Sequence, residues 1–590
     1  MVRLTAVPTD RVELRAGFWR DRYDANVQRG IPRLYEQLES HGVIDNFRRL
    51  SGARTVARRG YWFTDSDLYK WMEAAAWVGA AELDDVAAVV LAAQADDGYL
   101  NTNFDGDEHF AHLDWSHELY CLGHFIQAAV ARKRAQGRDD LLDAAVRCAD
   151  LIGRVFGPHG RIDRDRHPVV EMALVELYRE TDTARYLDLA TFFCDQVPWQ
   201  SWDRLWGHAV CALYFASGLT DVAIETGNET RINAVRRWWA DLVSTSTYVT
   251  GGVGGRWTAE AMGEPYEMPL TRSYTETCGA VAAGQWHTRM LQLDGDVRAA
   301  DALEQVLHNA LLAGVSLVGD EWFYANPHAT SCRPEQHPWI GEELPAQIAG
   351  PLPLRRAPWR DVTCCPPNVN RALATMPGQL YGTDPSGNLW VHLFASSHVR
   401  AGNFELDIDT DMPWSGGVKI TVHAAPASEA SLFVREPAWS SATFMGRYRE
   451  ERRVWKPGDV LELNFRVDAH LLAANPRVES TRGSVSIGRG PFVYCFEAID
   501  NPDVDDLRDL TLRDDTVFET VVEPSTLGGI TELQCAAAVA EPTLLYHPVA
   551  SAQPPSRTVT ATAIPYYAWA NRGPSPMTIW VNRTALPPRG

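Results

Sequence analysis

Two spacings of apolar residues divide this chain near residue 380. Before it, apolar positions recur with the period of an amphipathic helix in long blocks such as DLYKWMEAAAWVGAAEL, HELYCLGHFIQAAVARKRA, GHAVCALYFASGLTDVAIE and ETCGAVAAGQWHTRMLQL. Short turns separate these blocks, which predicts roughly a dozen helices paired as hairpins. No strand pattern alternates with them, so an α/α toroid is expected rather than a parallel α/β fold, with inner helix ends forming a concave pocket. After residue 380 the period falls to two, punctuated by Gly, Pro, Asn and Asp, in NFELDIDTDM, GGVKITVHAA, ASLFVREPAW and DVLELNFRVDAHLL. These segments predict the strands of one or two antiparallel β-sandwiches. The expected fold class is multidomain α+β: a helical domain over 1–380, a sandwich over 381–487 and a second over 488–590, divided near GRGPF. The first few residues are allowed to join a sandwich.

The length of 590 residues exceeds what one core supports, in agreement with several domains. With 55 Lys+Arg against 76 Asp+Glu the net charge is −21, which disfavours nucleic acid and acidic polymers as partners. The N-terminal text MVRLTAVPTDRVELRAGFWRDRY has no secretory apolar region, and no later segment approaches a membrane-spanning run. A cytoplasmic protein with no membrane partner is expected. A homodimer joined through a β-sandwich is compatible with the layout, though no residue establishes one.

Two segments carry unusual chemistry: Glu276-Thr277-Cys278, and the vicinal pair Cys364-Cys365 followed by Pro366, Pro367 and Asn368. Three thiols and a carboxylate are accepted zinc ligands, yet free Cys is also a common core residue, so composition leaves both readings open. Adjacent cysteines seldom pair as a disulfide and Pro-Pro stiffens the backbone after them, which suggests positioning for something other than packing. Cys121, Cys148, Cys194, Cys211 and Cys495 read as buried small hydrophobes, while Cys332 and Cys535 are ambiguous. The glycines of TGGVGG, lacking the strand and Lys-Ser/Thr of a phosphate loop, read as a flexible pocket loop.

The stretch YVTGGVGGRWTAEAMGEPYEMPLTRSYTETC (248–278) with VTCCPPNVNR (362–371) resembles glycoside hydrolase family 127, the β-L-arabinofuranosidases. Further likeness runs through YWFTDSD, DDGYLNT, SHELYCLGHFIQAAVA, HPVVEMALVELY, LWGHAVCALYF, HNALLAGVSLVGDEWFYANP and GRGPFVYCFE. The resemblance implies an (α/α)6 barrel followed by β-sandwiches, and a zinc ion held by Glu276, Cys278, Cys364 and Cys365. It implies Cys364 as nucleophile and Glu260 as general acid/base, with His117, His167 and His208 as sugar contacts. Around Glu260 the sequence departs from the family: Ala259 replaces the usual Gly and Met262 the usual aromatic residue.

A retaining exo-glycosidase of this kind places a nucleophile and an acid on opposite sides of the anomeric carbon, a thiolate here replacing one of the two usual carboxylates. The acid role calls for a raised carboxyl pKa at Glu260. Glu264 and Glu267 are rival acids. Asp67, Asp97 and Asn101 read equally as helix caps or sugar contacts, and Trp71 and Tyr99 as core residues or sugar platforms. Two other functions stand beside this one: a sugar isomerase, epimerase or lyase on the same toroid, and a carbohydrate-binding protein whose zinc merely clips the barrel.

Overall fold

The computed structural model describes residues 2–330, 355–523, 527–541, 545–546 and 556–584; Cys332 lies outside them. Six helices close a ring: α1 (Asp65–Val78), α2 (Glu118–Gln136), α3 (Val170–Thr181), α4 (Ala209–Thr226), α5 (Thr277–Asp294) and α6 (Cys365–Gln379). Each packs on the next, and α6 packs back on α1. Between them run Leu83–Ala93, Asp140–Val155, Ala184–Asp195, Glu229–Thr245 and Val297–Gln305, each lying against the ring helix that precedes it.

The two layers follow from sequence pattern. The helix Asp140–Val155 buries one stripe, including Leu141, Ala145, Cys148 and Ile152, as a surface helix does. By contrast α4 is 83% buried along its 18 residues, apolar on nearly every side because neighbours surround it. Among the described residues it is the one helix long and apolar enough to cross a membrane, and here it is a core helix.

The strands form three sheets. The first orders Thr5–Ala6, Tyr381–Thr383, Leu389–Val391, Ala430–Glu436 and Arg447–Arg453; the second orders Val460–Asn464, Gly417–Ala424, Phe404–Thr410, Ser397–Ala401 and Val12–Leu14. Alternation places Phe404, Leu406 and Ile408 inside. Both N-terminal strands are thus edge members of sheets whose other strands lie beyond residue 380.

Two expectations need correction. The sheets are not wholly antiparallel, because Leu389–Val391 pairs in parallel with Ala430–Glu436. The chain between them crosses to the second sheet and back, which supplies the long connection that a parallel pair requires. The division near residue 487 falls within the strand Ser484–Arg489, which pairs with Ala469–Leu472. Strand pairing changes sheet between Asn464 and Ala469, and from there on the strands belong to a ten-stranded third sheet, whose one earlier member is Ala329–Thr330.

Candidate active site

Glu276 caps α5 with Cys278 in the first turn, and Cys364 caps α6, which opens with Cys365, Pro366 and Pro367. Proline suits a first helical turn, where its missing N–H has no partner to lose, so CCPP starts a helix and sets both thiols at its positive end. Because α5 and α6 are neighbours in the ring, the four donors meet, all within 4.8 Å of one another. Sγ of Cys365 lies 3.4 Å from Sγ of Cys278 and 3.8 Å from Sγ of Cys364. Oε1 of Glu276 lies 3.3 Å from Cys364 and 3.6 Å from Cys365. A tetrahedral ion with metal–sulfur bonds of about 2.3 Å spaces its donors by about 3.5–3.8 Å, so the set fits one metal.

Its electrostatics point the same way. Burial and the neighbouring Cys278 push the Glu276 carboxyl well above its ordinary range, and burial pushes the Cys365 thiol up. Burial opposes the Cys278 thiolate too, yet hydrogen bonds from Cys364 and Cys365, the Lys70 cation and the Asn368 amide hold it well below the thiol range. Negative donors gathered in a buried site are costly without a cation among them.

The backbone that delivers Glu276 is strained. Thr275, buried and β-branched, has φ 31° and is held by a bond from its N–H to Gly254 O at 2.9 Å and from Oγ1 to Asn326 O at 2.5 Å. The TGGVGG glycines are therefore packing residues rather than a flexible loop: residues 251–255 are all buried. A Cβ on Gly251 would sit 2.6 Å from the Val306 backbone, and one on Gly254 2.9 Å from the Tyr274 ring.

The three predicted histidines converge. His117 precedes α2, His167 lies before α3 and His208 caps α4, with ring centroids 5.4 and 5.7 Å apart in series. Burial lowers the first two: His117 to about 4, and His167 well below its ordinary range with His117 and His208 beside it. Each is a neutral imidazole: Nδ1 of His117 lies 2.8 Å from Trp115 O and 3.3 Å from the Trp62 indole nitrogen, and Nδ1 of His167 bonds Pro168 O at 3.2 Å, which leaves Nε2 of His167 as an acceptor. His208 differs: Cys211 lies beside its Nδ1, with the backbone N 3.3 Å away, and its Nε2 donates to Oε2 of Glu260 at 2.8 Å.

Glu260 sits in a loop pinned to the start of α4 by Met262 N–H to Gly207 O at 2.9 Å. Tyr324 donates to its Oε1 at 2.7 Å. Burial raises this carboxyl, but the His208 cation and the Tyr324 hydroxyl outweigh burial and hold it below its ordinary range, while Cys211 and Glu260 outweigh burial at His208 and raise it well above its own. The expected raised Glu260 carboxyl is thus not found in the free protein; the proton resides on its partner.

Sequence profiles of three domains match: the β-L-arabinofuranosidase GH127 catalytic domain over 11–378, the GH127 middle domain over 388–448 and the family 127 C-terminal domain over 469–582. The chain belongs to glycoside hydrolase family 127. It is 29% identical to the non-reducing end β-L-arabinofuranosidase of Bifidobacterium longum subsp. longum, over 97% of this chain and 100% of the relative. A GH127 β-L-arabinofuranosidase from Geobacillus stearothermophilus T6 superposes with TM-score 0.89 at 31% identity, covering 97% and 100% of the two chains. A second GH127 β-arabinofuranosidase gives 0.87 at 30% identity and 99% coverage of each. The chain is a glycoside hydrolase.

Within this family 127 site, the rival acids are engaged elsewhere: Glu264 pairs with Arg204, and Glu267 with Arg256 at 2.6 Å. The departures near Glu260 have a structural sense. Ala259 has φ 56°, a conformation that favours glycine, and Met262 is buried where an aromatic residue would be. Trp71 is core, its Nε1 bonded to Ile31 O at 2.9 Å, and Tyr99 is buried against His109. Asp97 and Asn101 close local turns, to Tyr99 N–H at 2.9 Å and Asn103 N–H at 2.8 Å, and cap no helix. Asp67 receives Lys70 Nζ at 3.2 Å, and burial pushes its carboxyl up to about 6.

Sequence reasoning missed several residues here. Lys70 is fully buried beside Asp67 and Tyr120, and its signal was rarity, one of four lysines in the chain. Asn368 donates to Sγ of Cys278 at 3.1 Å, and its Oδ1 accepts from Arg371 at 2.9 Å. Both lie in CCPPNVNR, where helical spacing from the cysteines was a usable signal. Tyr274 and Tyr324 gave none, because their contacts arise between distant segments.

Proposed function

We propose that this family 127 chain is a retaining exo-glycosidase releasing non-reducing-terminal β-L-arabinofuranose, or a close furanoside, from short glycosides. The activity named for its relatives supports the sugar, and one observation supports the chemistry. Tyr324 touches both halves of the site, its hydroxyl on Glu260 at 2.7 Å and its carbonyl 3.8 Å from Sγ of Cys365. The acid/base and the thiols are therefore bridged by one residue.

Zinc held by Glu276, Cys278, Cys364 and Cys365 would strip the thiol proton from Cys364 and so supply a thiolate at neutral pH. Cys364, the half-exposed member of the pair, is the nucleophile. Its sulfur attacks the anomeric carbon as the glycosidic C–O bond breaks, and the departing oxygen takes a proton from Glu260. His208 Nε2 hands Glu260 that proton as charge develops, so the step ends with Glu260 ionised and His208 neutral. Water then displaces the sulfur, giving its proton to Glu260, and two inversions return the original configuration. The neutral His117 and His167 accept hydrogen bonds from sugar hydroxyls.

We read the closed ring with its outer helices as an (α/α)6 barrel over 1–380, followed by β-domains over 381–464 and 465–590. Reduced site thiols suit a cytoplasmic setting, and a net charge of −21 favours uncharged substrates. The isomerase and clip readings give no role to a carboxylate facing the thiols across Tyr324.

Release of 4-nitrophenol from 4-nitrophenyl β-L-arabinofuranoside by reduced protein tests the proposal, with Cys364→Ser beside it. Turnover lost in the variant is expected; no turnover by zinc-loaded wild type discards this sugar.

A further inference from the structure

The two oxygens of Glu276 have different neighbours. Oε1 faces the thiols, 3.3 Å from Cys364 and 3.6 Å from Cys365, whereas Oε2 accepts the hydroxyl proton of Tyr274 at 2.8 Å. The Tyr274 ring cannot easily move away. It is fully buried, it lies edge-on to Trp257 at 5.3 Å, and Gly254 packs against it because a Cβ there would clash. Its hydroxyl lies 3.3 Å from that of Tyr324, which serves Glu260.

We infer that Tyr274 is a positioning residue that fixes Glu276 as a one-oxygen ligand. A carboxylate offers a metal one oxygen or both, and a hydrogen bond on the outer oxygen keeps it from the ion. With Oε2 engaged, the ion is left four donors, three sulfurs and Oε1. A second oxygen would crowd the coordination shell and compete with the sulfur that must be free to attack. Tyr324 lies beside Tyr274 and donates to Glu260, so the carboxylate that ligates and the carboxylate that moves protons are oriented by two neighbouring tyrosines. The inference rests on the metal reading proposed above.

Cobalt(II) substituted into the reduced holoprotein tests it, since visible absorption is intense for four-coordinate cobalt and weak for five. Tyr274→Phe keeps the ring and removes the hydroxyl. The variant is expected to bind one cobalt per chain with a loss of visible intensity, while Tyr324→Phe, which leaves the bond on Glu276 in place, keeps the wild-type spectrum. An unchanged spectrum in Tyr274→Phe overturns the inference. X-ray absorption of the wild-type zinc protein needs no variant: three sulfurs and one oxygen support it, and a second oxygen overturns it. A wild type that takes up no metal overturns the metal reading and this inference with it.

Discussion

Nε2 of His208, at the N-cap of α4, donates to Oε2 of Glu260 at 2.8 Å. The pair thus holds one proton more firmly than either residue alone, with Glu260 lowered and His208 raised.

The pH profile should show this. A general acid works only while it holds its proton, and in the pair that proton persists until pH rises through the raised His208 value. In His208→Gln the proton must sit on Glu260, which loses its cation and rises by burial, but to a value lower than His208 had. The alkaline limb of kcat/KM should therefore move to lower pH in the variant, and a limb that stays put removes His208 from the acid function.

Glu260→Gln keeps the shape and the Tyr324 contact but carries no proton to give. Turnover of a poor leaving group such as methanol should fall about 10²- to 10⁴-fold. Nitrophenol, which leaves without help, should suffer far less. Equal losses for both aglycones would assign the acid role to another group.

Elemental analysis of protein purified under reducing conditions should give one zinc per chain. Cys278→Ser should lose the metal and melt at lower temperature, because Glu276 and the remaining thiols stay buried without a cation. Metal content unchanged in that variant would move the ion elsewhere.

Arg371 is fully buried and bonds Glu73 at 2.9 Å, Gln127 at 3.1 Å, the Tyr214 hydroxyl at 3.0 Å and Asn368 at 2.9 Å. Arg371→Met strands the Glu73 carboxylate and should cost about 3–5 kcal/mol in denaturant titration. Because Asn368 steadies Sγ of Cys278, metal affinity should fall as well, by about 10- to 100-fold.

Ala259→Gly is expected to raise stability by up to about 1 kcal/mol, since φ 56° strains a residue with a Cβ and this position is exposed. A lower melting temperature would mean that the loop's rigidity outweighs its strain.

Much of this was legible in the sequence. The change of apolar period near residue 380 separates helices from strands because a helix returns to the same face every three to four residues and a strand every two. The motifs ETC and CCPPN mark the Glu/Cys cluster, since donor residues at helix starts are local features. His117, His167 and His208 were readable on the same ground.

What the local pattern determined, then, was each element and the residues at its start. Tertiary structure alone decided which starts face one another: that Tyr274 reaches Glu276, that Tyr324 spans Glu260 and Cys365, and that His208 holds the proton expected on Glu260. Those relations depend on ring closure, on strained turns such as Thr275 and on desolvation, and desolvation is a property of the surroundings of a residue rather than of its neighbours in sequence. The parallel strand pair and the sheet boundary before Ala469 were hidden for the same reason: hydrogen-bond partners in a sheet are chosen by the whole chain's path, and the period of two is identical whichever neighbour a strand takes.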